Sequence, residues 1–144
     1  MIFFKNQLLE TMQLIPSILL IDDDFATTTY NEVIIEDSGY VEKVISMNSA
    51  EEALEYLNAS PKPVTGLPSL IFLDLNMPTM DGWEFLDSYL QLAEDIRKNT
   101  KIFILSSSSD EQELTQVENH PLLLGIKYKP LSIEMLKEIS EGYF

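Results

Sequence analysis

The sequence predicts a doubly wound α/β sandwich on a parallel sheet, and three observations lead to it. Short apolar runs alternate with helix-like segments five times along the 144 residues. Three of the runs, Ile18-Leu19-Leu20-Ile21, Leu70-Ile71-Phe72-Leu73 and Ile102-Phe103-Ile104-Leu105, are apolar on both faces of a strand, as a parallel sheet covered by helices on each side requires. Strand and helix alternating in this order, joined by right-handed crossovers, give the doubly wound arrangement. At this length one core can bury about two-thirds of the unfolded surface.

Residues 1–16 read as an N-terminal extension, with the domain over 17–144. Ile2, Phe3 and Phe4 precede Lys5, the reverse of the charge order in a signal peptide. The segment is either an extra element packed on the domain or an overlong start with Met12 as the initiator. Strands are expected at Ser17–Ile21, Lys43–Met47, Ser69–Leu73, Lys101–Leu105 and Gly125–Tyr128. Between them, Ala50, Ala53, Leu54 and Leu57 form one helical stripe, and Phe85, Leu86, Tyr89, Leu90 and Ala93 another. Ser49 with Glu52 and Ser109 with Gln112 have capping-box spacing, and Ser132 suits the start of the last helix. Pro61, Pro63, Gly66 and Pro68 mark a loop before the third strand. Only Gly142, Tyr143 and Phe144 follow the expected end of the last helix, so no output domain is expected and output should come through docking.

Composition narrows the function. With 45% hydrophobic and 23% charged residues the chain reads as globular. It has no apolar run near the ~18 residues of a membrane span, so no membrane association is expected. Cysteine is absent, which excludes disulfides and thiolate metal sites and fits a reducing, cytoplasmic setting. Twenty-four acids against nine Lys and Arg give a formal charge of −15, which argues against nucleic acid as a direct partner.

Ligands of doubly wound sheets bind at the carboxyl ends of the strands, near a switch in strand order. The first run ends in Asp22-Asp23-Asp24, the third in Asp74-Leu75-Asn76-Met77-Pro78, the fourth in Ser106-Ser107-Ser108 and the fifth in Lys129-Pro130. Taken alone, three successive acids are more often a solvated turn than a metal site, and each other piece has an ordinary loop reading. Asp74 after a wholly apolar strand is harder to dismiss, because a carboxylate beside a core needs partners. If the first and third strands are neighbours, carboxylates converge and repel unless a cation joins them. Mg²⁺, a hard ion that keeps some of its waters, suits such a site. A carboxylate can act as a nucleophile toward phosphorus, with the metal, an ammonium and a hydroxyl neutralising the phosphoryl oxygens.

From residue 17 to about 140 the chain resembles the receiver domains of two-component response regulators. Ile18 to Asp24 is similar to the family's first strand and acidic pair. Leu73-Asp74-Leu75-Asn76-Met77-Pro78-Thr79-Met80-Asp81-Gly82 resembles its phosphorylation motif, and Ile104-Leu105-Ser106-Ser107 and Lys129-Pro130 its switch hydroxyl and lysine. The resemblance implies a flavodoxin-like (βα)5 fold with strand order 2-1-3-4-5. It implies that Asp74 accepts a phosphoryl group from a sensor histidine kinase or phosphotransfer protein. Asp23 would hold Mg²⁺ directly, Asp22 through water and Asn76 through its backbone carbonyl, with Asp74 also a ligand. Lys129 would pair with Asp74 and then with the phosphoryl group. Ser106 would move to donate to a phosphoryl oxygen, with the Ser107 N–H as a second donor. Pro78, Gly82 and Pro130 would shape loops.

The chain departs from the family at Ile126, where an aromatic residue is usual; ordinary strand packing is the simpler reading of that isoleucine, and Tyr128 lies two positions on. His120, before Pro121, reads as an inert exposed residue, and Trp83 as packing at a helix start. Three alternatives remain: a haloacid-dehalogenase-type phosphatase, a receiver-like adaptor that never takes phosphate, and a nucleotide-binding fold. The first lacks Thr or Val at Ala26 and an acidic pair after Lys129. The complete acidic, hydroxyl and lysine set weighs against the second. The third lacks the glycines that cradle phosphate.

Overall fold

The computed structural model describes residues 14–59, 66–107 and 110–144. Its strands are β1 (Ile18–Ile21), β2 (Val44–Met47), β3 (Leu70–Leu73), β4 (Lys101–Ser106) and β5 (Leu123–Tyr128). Its helices are α1 (Phe25–Ser38), α2 (Ala50–Asn58), α3 (Gly82–Tyr89), α4 (Glu94–Arg97), α5 (Glu111–Asn119) and α6 (Ile133–Tyr143). The sheet is parallel in the order β2-β1-β3-β4-β5, as expected. The chain runs outward from β1 to β2 and then crosses back to β3, so the switch in winding falls between β1 and β3.

The alternation of side chains along each strand divides the core into two layers. Leu19, Ile21, Ile71, Leu73, Ile102 and Ile104 face α2, α3 and α5, where they meet Ala53, Leu57, Phe85, Leu86 and Val117. Ile18, Leu20, Leu70, Phe72, Phe103 and Leu105 face the other way and meet Ile35 of α1, Leu136 and Ile139 of α6, and Leu131. The three central strands are therefore apolar on both faces because helices cover both. Ile15, on the extension side of the expected boundary, is fully buried in the second layer and bridges to Val41.

Several expectations need correction. The second stripe does not form one helix: α3 ends at Tyr89 with Leu90 as its C-cap, and Ala93 is the N-cap of the separate α4. Strand β5 begins at Leu123, two residues before Gly125, because the register with β4 shifts there. Ile102 is opposite Leu123, whereas Phe103 is opposite Gly125. The last helix runs on through Gly142 and Tyr143. Ser109, Pro61 and Pro63 lie outside the described residues, and the N-cap of α5 is Asp110, whose side chain accepts from Gln112 N. Ser49 and Ser132 do cap α2 and α6, through Glu52 N and Met135 N. The reciprocal capping box is at α3, between Asp81 and Glu84.

Candidate functional site

Strand register assembles the site. Ile21 is opposite Leu73, so Asp22 and Asp74 leave their strands side by side, and Asp74 N donates to the Ile21 carbonyl at 3.0 Å. Both aspartates are buried, 5% and 8% exposed, while Asp23 is exposed. Oxygens of Asp22, Asp23 and Asp74 lie within 4.8 Å of one another. Asp24 is placed differently. It caps α1 by accepting from Thr27, whose hydroxyl hydrogen bond holds the carboxyl below the usual carboxylate range.

On the other side, Leu105 is opposite Lys127 and Ser106 opposite Tyr128, and Lys129 N donates to the Ser106 carbonyl at 2.7 Å. This ties the hydroxyl strand end to the lysine. The Lys129 ammonium reaches Asp22 Oδ2 at 2.8 Å and Asp74 Oδ2 at 3.7 Å. Its shorter contact is thus to Asp22 rather than to Asp74, because the two carboxylates are neighbours and one ammonium sits between them. Lys129-Pro130 is a cis peptide bond.

Asp74 is held on its other oxygen by Asn76 N, which donates to Oδ1 at 3.2 Å. Burial pushes its carboxyl up to about 6, and the Lys129 ammonium opposes that rise. Three carboxylates facing one ammonium leave excess negative charge in a half-buried crevice. Such an all-oxygen donor set fits a divalent cation of the Mg²⁺ type.

The loop after Asp74 turns tightly. Met80 N donates to the Pro78 carbonyl at 2.8 Å and Thr79 has φ 69°, a left-handed conformation that is costly for a β-branched residue. Gly82 then passes close beneath: a Cβ there would stand 2.8 Å from the Asp74 carbonyl oxygen and from the Leu75 Cα. Beside the acids, a crevice of about 610 Å³ is lined by Ala26, Thr27, Tyr30, Asn31, Ser107, Lys129 and Pro130.

Three further residues correct or extend the sequence reading. Ile126 packs against the core, opposite Ile104. His120 is half-buried rather than exposed: its Nδ1 accepts from Leu122 N at 3.2 Å, and its ring lies 6.1 Å from that of Trp83. Glu113 on α5 was not singled out by the sequence, yet the Ser106 hydroxyl donates to its Oε1 at 2.8 Å. No spacing rule announces that pair, since it joins a strand end to the first turn of the next helix.

The family described as the response regulator receiver domain matches residues 18–139. The chain is 30% identical over 124 residues to the probable methanogenesis regulatory protein FilR2 of Methanothrix harundinacea (strain 6Ac), covering 86% of this chain and 78% of that protein. A two component response regulator from Cytophaga hutchinsonii, solved as a crystal structure, superposes with a TM-score of 0.78 and 31% identity over 89% of this chain and 96% of that one. Response regulator Rre1 of Synechocystis sp. (strain ATCC 27184 / PCC 6803 / Kazusa) is longer: a 36% identical match covers 56% of this chain but 31% of that protein.

Proposed function

Since this chain belongs to the response regulator receiver domain family, we propose that Asp74 is its phospho-acceptor, charged by a sensor histidine kinase or phosphotransfer protein in a Mg²⁺-dependent reaction. The observation that carries this reading is the convergence of Asp22, Asp23 and Asp74 oxygens within 4.8 Å at the β1–β3 switch. Asp22, Asp23, Asp74 and the Asn76 carbonyl would hold the metal, whose charge would offset that of the phosphoryl oxygens when bound.

The chain's own residues do the rest. An Asp74 oxygen forms the bond to phosphorus as the bond from phosphorus to the donor nitrogen breaks, and the leaving imidazole takes up a proton. The crevice beside Tyr30, Ser107 and Pro130 gives the donor a way in. Lys129, already 3.7 Å from Asp74, moves its charge onto the new phosphoryl oxygens. Ser106 and the Ser107 N–H donate to those oxygens, while Pro78, Gly82 and Pro130 keep the loops in shape. The phosphoryl group adds about −1.5 to −2 charge, which redraws the adjacent surface for a protein partner that docks on α5 and β5. The chain on this reading catalyses only its own phosphorylation and dephosphorylation. It works in the cytoplasm, where donors charged from ATP are found.

Incubation with Mg²⁺ and acetyl phosphate, followed by intact mass and peptide mapping, should give one hydroxylamine-labile and base-labile phosphoryl adduct on Asp74. Asp74→Asn should abolish it. An adduct that persists in Asp74→Asn would sink the assignment.

A further inference from the structure

We propose that Glu113 is a latch that holds the Ser106 hydroxyl in the unphosphorylated protein, and that its release carries the phosphorylation signal into α5. The inference rests on Asp74 as the acceptor and Ser106 as the hydroxyl drawn to the phosphoryl group.

Ser106 is 2% exposed at the end of β4, and its hydroxyl donates to Glu113 Oε1 at 2.8 Å. A serine hydroxyl has one proton to give. It cannot donate to Glu113 and to a phosphoryl oxygen together, so the two bonds define two exclusive states. The Glu113 bond is charge-assisted, hence stronger than a neutral one. Glu113 also stands in the first turn of α5, three residues after the cap Asp110, where the helix N-terminus favours a carboxylate. The unphosphorylated state is therefore held by a real contact, which phosphorylation must break.

Because that contact exists in one state only, it couples the two sites. When Ser106 turns to the phosphoryl group, the half-buried Glu113 carboxylate gives up this donor and must gain water. The first turn of α5 has to carry it outward. The side chain of Ile126, packed against the core, has no polar atom with which to answer the movement of Ser106. Glu113 supplies a polar route from the same hydroxyl to the helix.

The test compares the wild type with Glu113→Gln, Glu113→Ala, Ser106→Ala and the Ser106→Ala/Glu113→Ala double variant. Titration with beryllofluoride in Mg²⁺, a phosphoryl mimic, is read by amide resonances of residues 111–119. Glu113→Ala should tighten mimic binding about threefold to tenfold, with Glu113→Gln between it and the wild type. In the Ser106→Ala background, Glu113→Ala should change the affinity by less than about twofold. Equal tightening with and without the hydroxyl would mean plain charge repulsion and would overturn the latch, as would unchanged or weaker binding in Glu113→Ala. A second arm keeps the acceptor question separate: thermal unfolding of the wild type, the two alanine variants and their double variant, without any phosphoryl mimic, should show favourable Ser106–Glu113 coupling. No coupling there overturns the latch whatever Asp74 does. A phosphoryl adduct mapping away from Asp74 overturns the acceptor reading, and with it the latch's role in signalling, while leaving the Ser106–Glu113 contact in place.

Discussion

Asp74 carries its charge at a cost. Burial pushes its carboxyl from the ordinary 3.8 to about 6, only partly offset by the ammonium of Lys129. Between those two values the native state retains a proton that the unfolded chain has lost, so stability falls as pH rises through the window. The penalty is complete above about 6 and absent below the unfolded value. Asp74→Asn removes it, and Lys129 keeps its 2.8 Å partner Asp22. In Mg²⁺-free buffer the variant should exceed the wild type in stability by about 1–2 kcal/mol at pH 7, discounted for solvent screening, and match it near pH 4. Urea unfolding at several pH values measures this, and a gap that stays constant across the window would point to another cause. At this scale the sequence showed Asp74, Asp22, Ser106 and Lys129 as residues to examine. It did not show Glu113 or the closer Lys129–Asp22 pairing, because those depend on which atoms the strand register brings within reach.

The acceptor loop and α3 behave as one element. Asp81 and Glu84 fasten the helix start through a reciprocal capping box, and Gly82 N closes the loop onto the Leu75 carbonyl at 3.0 Å. The approach is so close that a side chain at residue 82 would meet the backbone of Asp74 and Leu75 as well as the end of the Leu75 side chain, and the backbone cannot move aside cheaply. Gly82→Ala should therefore displace the loop or the first turn of α3, lowering stability by about 1–3 kcal/mol. It should also slow acetyl-phosphate labelling of Asp74 while leaving its position on the peptide map unchanged. Chemical unfolding and labelling kinetics on one preparation check both; a stable variant with unaltered labelling would show that the loop has more room than the geometry allows. The motif from Asp74 to Gly82 was legible as chemistry. The end of α3 was not, because Leu90 continues the apolar stripe although the helix stops at Tyr89 and Leu90 is exposed.

On the scale of the molecule, a formal charge of −15 makes self-repulsion a standing load on the folded state. Nine Lys and Arg cannot balance twenty-four acids, and ion pairs such as Lys98–Asp95 are solvent-exposed and contribute little. Raising NaCl from low to about 0.5 M at pH 7 should screen this repulsion and raise Tm by about 3–6 °C. A fall in Tm over that range, followed by circular dichroism, would mean that attractive pairs outweigh the net repulsion.

The sequence by itself determined the sandwich, its central strands and the edge where the chemistry gathers. Apolar runs and helical periods are local patterns, and the polar residue after each run lies where its strand must end. The edge strands were less legible: β2 and β5 are only partly buried, and β5 carries the register shift that hid its first residues. Only the tertiary structure decided that Lys129 lies 2.8 Å from an aspartate 107 residues away, that Ser106 is held by Glu113, and that Ile15 belongs to the core. Those contacts follow from strand register and helix placement, which join distant parts of the chain and leave no periodic trace in either partner.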